Sequence, residues 1–337
     1  MTISELLESV RRVEVRTNRL VNDTMVGAYL SHFRGRGMDF EELREYIPGD
    51  DVRDIDWNVT NRMGRPFVKR FREERELAMV LAMDVSASSA FGSTQRTKRG
   101  FAAEIAGTLA FSATRSSDKV ALLLFSDEVE LFLPPRKGRR HILRLIREML
   151  HFDPKHCGTN IPAALTFLNH VLHRRSIVFL LTDFLHSFGD GREGSPLPAA
   201  GGASVPASRL VSSLAPPTDA GEHGVARPTN RDVIQEIGLT NARHDLVCVH
   251  LHDPRESTLP PAGLLTIEDA ETGELLELDS GRSAVREEFA NTNAQRLAEL
   301  DRALRHAGVD TLRLSTAEPF APTLQRFFEL RRGRRRG

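Results

Sequence analysis

Three oxygen-bearing side chains, Asp84, Ser86 and Ser88, follow directly on the apolar run Leu77-Ala78-Met79-Val80-Leu81-Ala82-Met83. Alternate residues of an extended segment point the same way, so these three can converge on one point. Their chemistry suits a hard cation. Mg²⁺ wants near-octahedral oxygen at about 2.1 Å and accepts hydroxyls and waters beside one or two carboxylates. Three side chains fill only part of that shell. Thr159, in the loop Cys157-Gly158-Thr159-Asn160, and Asp183, at the end of Phe179-Leu180-Leu181-Thr182-Asp183-Phe184, are the candidates for the remainder, with Mg²⁺ or Mn²⁺ as the expected ion.

Other chemistries find less support. Zinc asks for Cys and His clustered at ligand spacing, which the adjacent pair His156 and Cys157 does not provide. His250 and His252 share one face of a strand, which without further ligands reads as a polar strand end. A phosphatase built on an aspartyl nucleophile generally needs a second carboxylate two residues on, and Ser86 stands there. No Gly-x-Ser-x-Gly elbow surrounds Ser86 or Ser88, and no Gly-x-x-x-x-Gly-Lys loop is present, so the chain is not expected to hydrolyse ATP itself.

The elements that must position these residues follow from periodicity. The runs ending at Asp84 and Asp183 read as buried strands, as do Lys119-Val120-Ala121-Leu122-Leu123-Leu124-Phe125 and Asp245 to Leu251. Val129 to Leu133 alternates and predicts an edge hairpin; Pro134 to Arg140 reads as a basic turn opening a helix from His141 to Leu150. Helices are expected over residues 4–21, 97–115, 232–242, 284–307 and 323–331, with Ser4 as a cap and Gly308 as a stop signal. Leu264 to Glu268 and Glu274 to Leu278 read as a hairpin turning at 270–273, and Asp310 to Leu314 as a last strand. Strands alternating with helices predict an α/β fold, a doubly wound, mostly parallel sheet covered on both faces. All three ligand segments then fall on one carboxyl edge at a switch point.

In their order and on those elements, Asp84-x-Ser86-x-Ser88, Thr159 and Asp183 resemble the metal-ion-dependent adhesion site of von Willebrand factor A domains. The resemblance implies a Rossmann-like fold of that class. It also implies a cation held directly or nearly so by Ser86, Ser88 and Thr159, Asp84 and Asp183 acting largely through water, and a partner's carboxylate completing the shell. A second resemblance is longer. Gly35-x-Gly37-x-x-Phe40, Arg44-x-Tyr46-x-Pro48-Gly49-Asp50-Asp51-x-Arg53-x-Ile55-Asp56-Trp57 and Pro66-x-Val68-Lys69 with Glu73-Glu74 are similar to the signature of the bacterial domain of unknown function 58 family. It extends through Gly138-Arg139-Arg140-His141 and Asp253-Pro254-Arg255-Glu256 to the basic tail. Members of that family place the signature directly before a von Willebrand A-like domain and are associated with a MoxR-type AAA+ ATPase. The implied role is a chaperone-like or assembly partnership rather than chemistry. Ser89 and Ala90 stand where a Met usually follows the second Ser, a departure that changes packing beneath the loop and spares the proposed ligands.

The expected organisation is an N-terminal helix-plus-loop extension over residues 1–75, a von Willebrand A-like domain over 76–316, and a C-terminal helix with a basic tail over 317–337. Arg34 to Trp57 has two readings, a loop stapled by Arg/Asp pairs or a partner surface. Residues 187–230, rich in Gly, Ala, Ser and Pro, bury too little to offset ordering entropy and are expected to form a disordered insert. Arg331 to Arg336 reads as a solvated tail.

Composition bounds the rest. The 337 residues carry 46 Lys and Arg against 46 Asp and Glu, so net charge offers no argument for nucleic acid or an anionic membrane. Two cysteines do not make a disulfide framework, and no apolar run approaches the roughly 20 residues of a bilayer span. With no leader-like start at Met1, a cytoplasmic location is expected. The expected function is a non-enzymatic, metal-dependent protein-binding module. The alternatives are a scaffold that holds no cation and, third, a Mg²⁺-dependent phosphoester hydrolase.

Overall fold

A computed structural model describes residues 10–15, 17, 37–74, 78–93, 96–185, 229–268 and 275–334. The expected cap Ser4, the apolar positions Leu6, Leu7, Leu20 and Val21, the insert up to residue 228 and the turn at 270–273 lie outside them.

A six-stranded sheet forms the centre. Its strands are β3 (Ala78–Asp84), β4 (Lys119–Phe125), β5 (Val129–Arg136), β6 (Ile177–Thr182), β7 (Asp245–His252) and β10 (Asp310–Ser315). They lie in the order β10-β7-β6-β3-β4-β5, all neighbours parallel except the β4–β5 edge pair. The fold is therefore the expected doubly wound α/β arrangement. The chain leaves β3 toward β4, then returns to β3's other side for β6, so the topological switch lies beside β3. In such sheets ligands bind at the carboxyl ends next to the switch.

Period-two alternation divides the β3 side chains between two cores. Met79, Leu81 and Met83 face α2 (Lys98–Arg115), α3 (Arg139–His151) and α8 (Phe320–Arg334). Val80 and Ala82 face α4 (Ile161–Val171), α5 (Asn230–Arg243) and α7 (Ser283–His306). Each fully buried Leu or Met side chain contributes about 1.5–3 kcal/mol. Residues 101–113 of α2 are all buried. Residues 10–15 and 17 are the described part of the N-terminal helix; Val10 and Val13 sit in the same core as α2, and Glu14 pairs with Arg139 at 2.5 Å. Gly107 permits this approach, since a Cβ there would stand 3.3 Å from Val13.

Three expectations are corrected. The charged signature is not only a loop, because its flanks pair as antiparallel strands β1 (Gly37–Glu45) and β2 (Phe67–Glu74), with a bulge after Phe40. Arg44 of β1 pairs at 2.7 Å with Asp50 in the segment that follows, and farther along that segment Asp56 caps the helix α1 (Trp57–Met63). Pro134 and Pro135 belong to β5 rather than to a turn. Proline has no N–H for a ladder, and an edge strand tolerates that. Arg331 is not in a solvated tail. It is buried on α8 and pairs with Asp245 at 2.5 Å and Asp310 at 2.6 Å. The predicted hairpin is β8 (Leu264–Glu268) with β9 (Leu275–Asp279), packed by Leu278 against Phe289 of α7.

Candidate functional site

Asp84 is the last residue of β3, and both its carboxylate oxygens are engaged. Oδ1 accepts the Ser86 backbone N–H at 2.9 Å, an Asx turn that starts the loop. Oδ2 accepts the Thr182 hydroxyl at 2.7 Å and the Thr159 hydroxyl at 3.4 Å. The loop then tightens into a 3₁₀ turn over Ala87–Ala90, closed by Ser89, whose hydroxyl donates to the Ser86 carbonyl. This turn sets the Ser86 and Ser88 hydroxyl oxygens 3.2 Å apart and lets Ser88 donate to Asp183 Oδ2 at 2.8 Å. Asp183 lies one residue beyond β6. The chain turns sharply after it through Phe184, a left-handed residue with φ 53°, a conformation that costs a side-chain-bearing residue about 1–2 kcal/mol. The turn directs the Leu185 N–H to Asp183 Oδ1 and buries the Phe184 ring edge-on against His250.

Thr159 arrives on a loop held by the neighbouring strands. Glu130 Oε1 accepts the backbone N–H groups of Lys155 and His156 and the Ser126 hydroxyl. Asp127 accepts the Gly158 N–H, and the Cys157 carbonyl accepts Ala87 N–H at 2.9 Å, tying this loop to the serine turn. Asn160 caps α4. All five predicted residues, Asp84, Ser86, Ser88, Thr159 and Asp183, are thus drawn together at one sheet edge.

Several participants carried no sequence signal in isolation. Thr182 anchors Asp84 from the adjacent strand. Lys98, in the first turn of α2 and 2% exposed, places its ammonium 2.5 Å from Asp183 Oδ2 and also against Glu256. Glu256 closes a capping box with Asp253 on the short helix α6 (Pro254–Ser257). Asp253 in turn accepts from Ser93 and Thr316. The motif Asp253-Pro254-Arg255-Glu256 therefore serves this edge. One clue to Lys98 exists in the sequence: a cation in the first turn of a helix opposes the helix dipole and needs a compensating anion.

Burial, and next the charge of Asp183, push the Asp84 carboxyl up to about 6. Burial would push the Lys98 ammonium down, but Asp183 and Glu256 outweigh it and hold it above its usual range. Burial also raises the Glu256 carboxyl. Arg296, 7% exposed, sits in the field of Asp183 and Glu256.

The residues fit a hard cation in donor type and in convergence. Ser86, Ser88 and Thr159 would hold it, with Asp84 and Asp183 supplying negative charge. Among the described residues no three His, Cys, Asp or Glu side chains gather as a metal cage, so such an ion would depend on the hydroxyls.

The description "Protein of unknown function DUF58" matches residues 42–200 and 226–299. The uncharacterized protein Rv1480 of Mycobacterium tuberculosis is 27% identical over 330 residues, which cover 97% of this chain and 90% of that protein. An aerotolerance-related membrane protein from Bacteroides fragilis is similar in structure, with a TM-score of 0.41 at 12% identity over 77% of this chain and 99% of that one. The SpRpn10 VWA domain gives 0.32 at 11% identity over 74% and 93%. At these scores the fold assignment rests on the strand order itself. With the family description matched over more than half of its length, the chain belongs to the DUF58 family of proteins of unknown function.

Proposed function

We propose that this chain is a protein-interaction module that captures an acidic side chain of a partner through a Mg²⁺ or Mn²⁺ ion at Ser86, Ser88 and Thr159, with Asp84 and Asp183 behind them. The observation that carries this reading is the convergence of three hydroxyls and two carboxylates from three separate segments on the switch-point edge. A cation held by hydroxyls and two carboxylates keeps residual positive character, which favours a partner Asp or Glu. The family resemblance makes a MoxR-type AAA+ ATPase, or a protein it remodels, the candidate partner. An enzymatic role has less support, because Ser88 donates to a carboxylate already paired with Lys98.

The test is capture of a MoxR-type ATPase from the same cell by the immobilised chain, with Mg²⁺ and with chelator, for the wild type and Asp84→Ala. Mg²⁺-dependent capture lost in Asp84→Ala supports the reading; capture indifferent to chelator and to the substitution removes it. A second reading, a scaffold whose edge works without a metal, is favoured by one observation: Lys98 already neutralises Asp183.

A further inference from the structure

Asp183 Oδ2 accepts from the Ser88 hydroxyl and from the Lys98 ammonium, so one oxygen joins the hydroxyl cluster to an internal cation. Lys98 also contacts Glu256, which its capping box with Asp253 fixes in place and which is not among the expected ligands. Lys98 is 2% exposed; the Phe91 ring centroid lies 5.9 Å from its ammonium, and the Phe91 carbonyl accepts the Lys98 N–H. The ammonium therefore has two anionic partners, one on each side of the boundary of the candidate ion site. Two cations sharing Asp183 repel each other strongly in so buried a place.

We propose that Lys98 is a tethered counter-cation that competes with a divalent ion for Asp183, and that Glu256 is the partner that retains the ammonium when the ion enters. This rests on the cation reading above and deepens it: occupancy is set by a residue outside the ligand set. In the ion-free state the Lys98–Asp183 contact closes the edge. Entry of the ion breaks that contact and leaves the Lys98–Glu256 pair.

The experiment measures Mn²⁺ binding to the full chain by electron paramagnetic resonance, together with the melting temperature with and without Mn²⁺, for the wild type, Lys98→Met and Glu256→Gln. Lys98→Met is expected to bind Mn²⁺ about tenfold more tightly or better and to gain more thermal stability from it than the wild type, because the ion replaces the lost ammonium. Glu256→Gln is expected to bind more weakly, because Lys98 then has only Asp183. A structural role for Lys98 would instead loosen binding in Lys98→Met. If Lys98→Met does not fold, weaker binding by Glu256→Gln supports the competition, and unchanged or tighter binding overturns it. Equal Mn²⁺ affinity of the wild type and Lys98→Met overturns this proposal and leaves the cation reading standing, whereas binding by none of the three proteins overturns both.

Discussion

The Thr182 hydroxyl donates to Asp84 Oδ2 at 2.7 Å although 98 positions separate the two residues. The pairing of Met83 with Leu181 on adjacent parallel strands brings them side by side. Both Asp84 oxygens are thereby committed within the protein, which suits a carboxylate that supplies field rather than a direct bond.

Thr182→Val keeps the shape and removes this donor, leaving Asp84 Oδ2 with the longer Thr159 contact. The expected loss is about 1–3 kcal/mol of unfolding free energy, read by urea denaturation. An unchanged midpoint would show that the bond contributes nothing.

Arg331 ties α8 to β7 and β10 through two carboxylates, and its side chain is 9% exposed. Arg331→Met is expected to cost about 3 kcal/mol at most, below the full penalty for breaking a buried pair, because Asp245 and Asp310 remain partly solvated. Circular dichroism melts of the two proteins measure it.

Trp57, the only tryptophan, is 61% exposed on α1. Trp57→Ala is expected to change stability by no more than about 0.5 kcal/mol, and the wild-type fluorescence should be that of a water-exposed indole. A blue-shifted emission, or a larger stability loss, would place the indole in a buried setting instead.

The two cysteines should part company in the native state. Cys157 is exposed beside Thr159, whereas Cys248 is buried in β7 and burial pushes its thiol up, away from the reactive thiolate. Iodoacetamide is expected to add one carbamidomethyl group to the native chain, at Cys157, and two in urea, counted by mass spectrometry of peptides.

His250 is buried, its Nδ1 without a hydrogen-bond partner, and burial, followed by the charges of Arg313 and Arg296, pushes its imidazolium down to about 3. His252 opposes protonation too, while Asp183 favours it. The unfolded chain gains a proton near pH 6.5 that the folded chain refuses until about pH 3. Stability from this residue is present above pH 6.5 and falls with acidity at up to about 1.4 kcal/mol per pH unit. Asp84, pushed up, contributes in the opposite direction between its ordinary range and about 6, so the informative quantity is the difference between wild type and His250→Phe at pH 7 and pH 5. The stability of the wild type relative to His250→Phe should fall between pH 7 and pH 5, whichever protein is the more stable at pH 7.

Much of the molecule was legible as a string of residues. Apolar runs fixed the central strands because a parallel strand is buried on both faces, and Asp84, Ser86, Ser88, Thr159 and Asp183 stood at strand ends or in a loop where the topology had to gather them. Local pattern failed where the deciding partner was remote. Pro134 and Pro135 read as a turn until the edge position of β5 was known, and Arg331 read as solvent-facing until Asp245 and Asp310 were seen to meet it. Lys98 is the sharpest case. Its neighbourhood offers no more than a place in the first turn of a helix, and only packing between α2, the end of β6 and the short helix α6 makes it a buried cation between two carboxylates. Sequence determined the strands of the central sheet and most of the helices that cover it, because hydrophobic period is a local property. Tertiary structure decided the charge balance of the site, because Coulomb interactions depend on distance through space and on burial, neither of which is written along the chain.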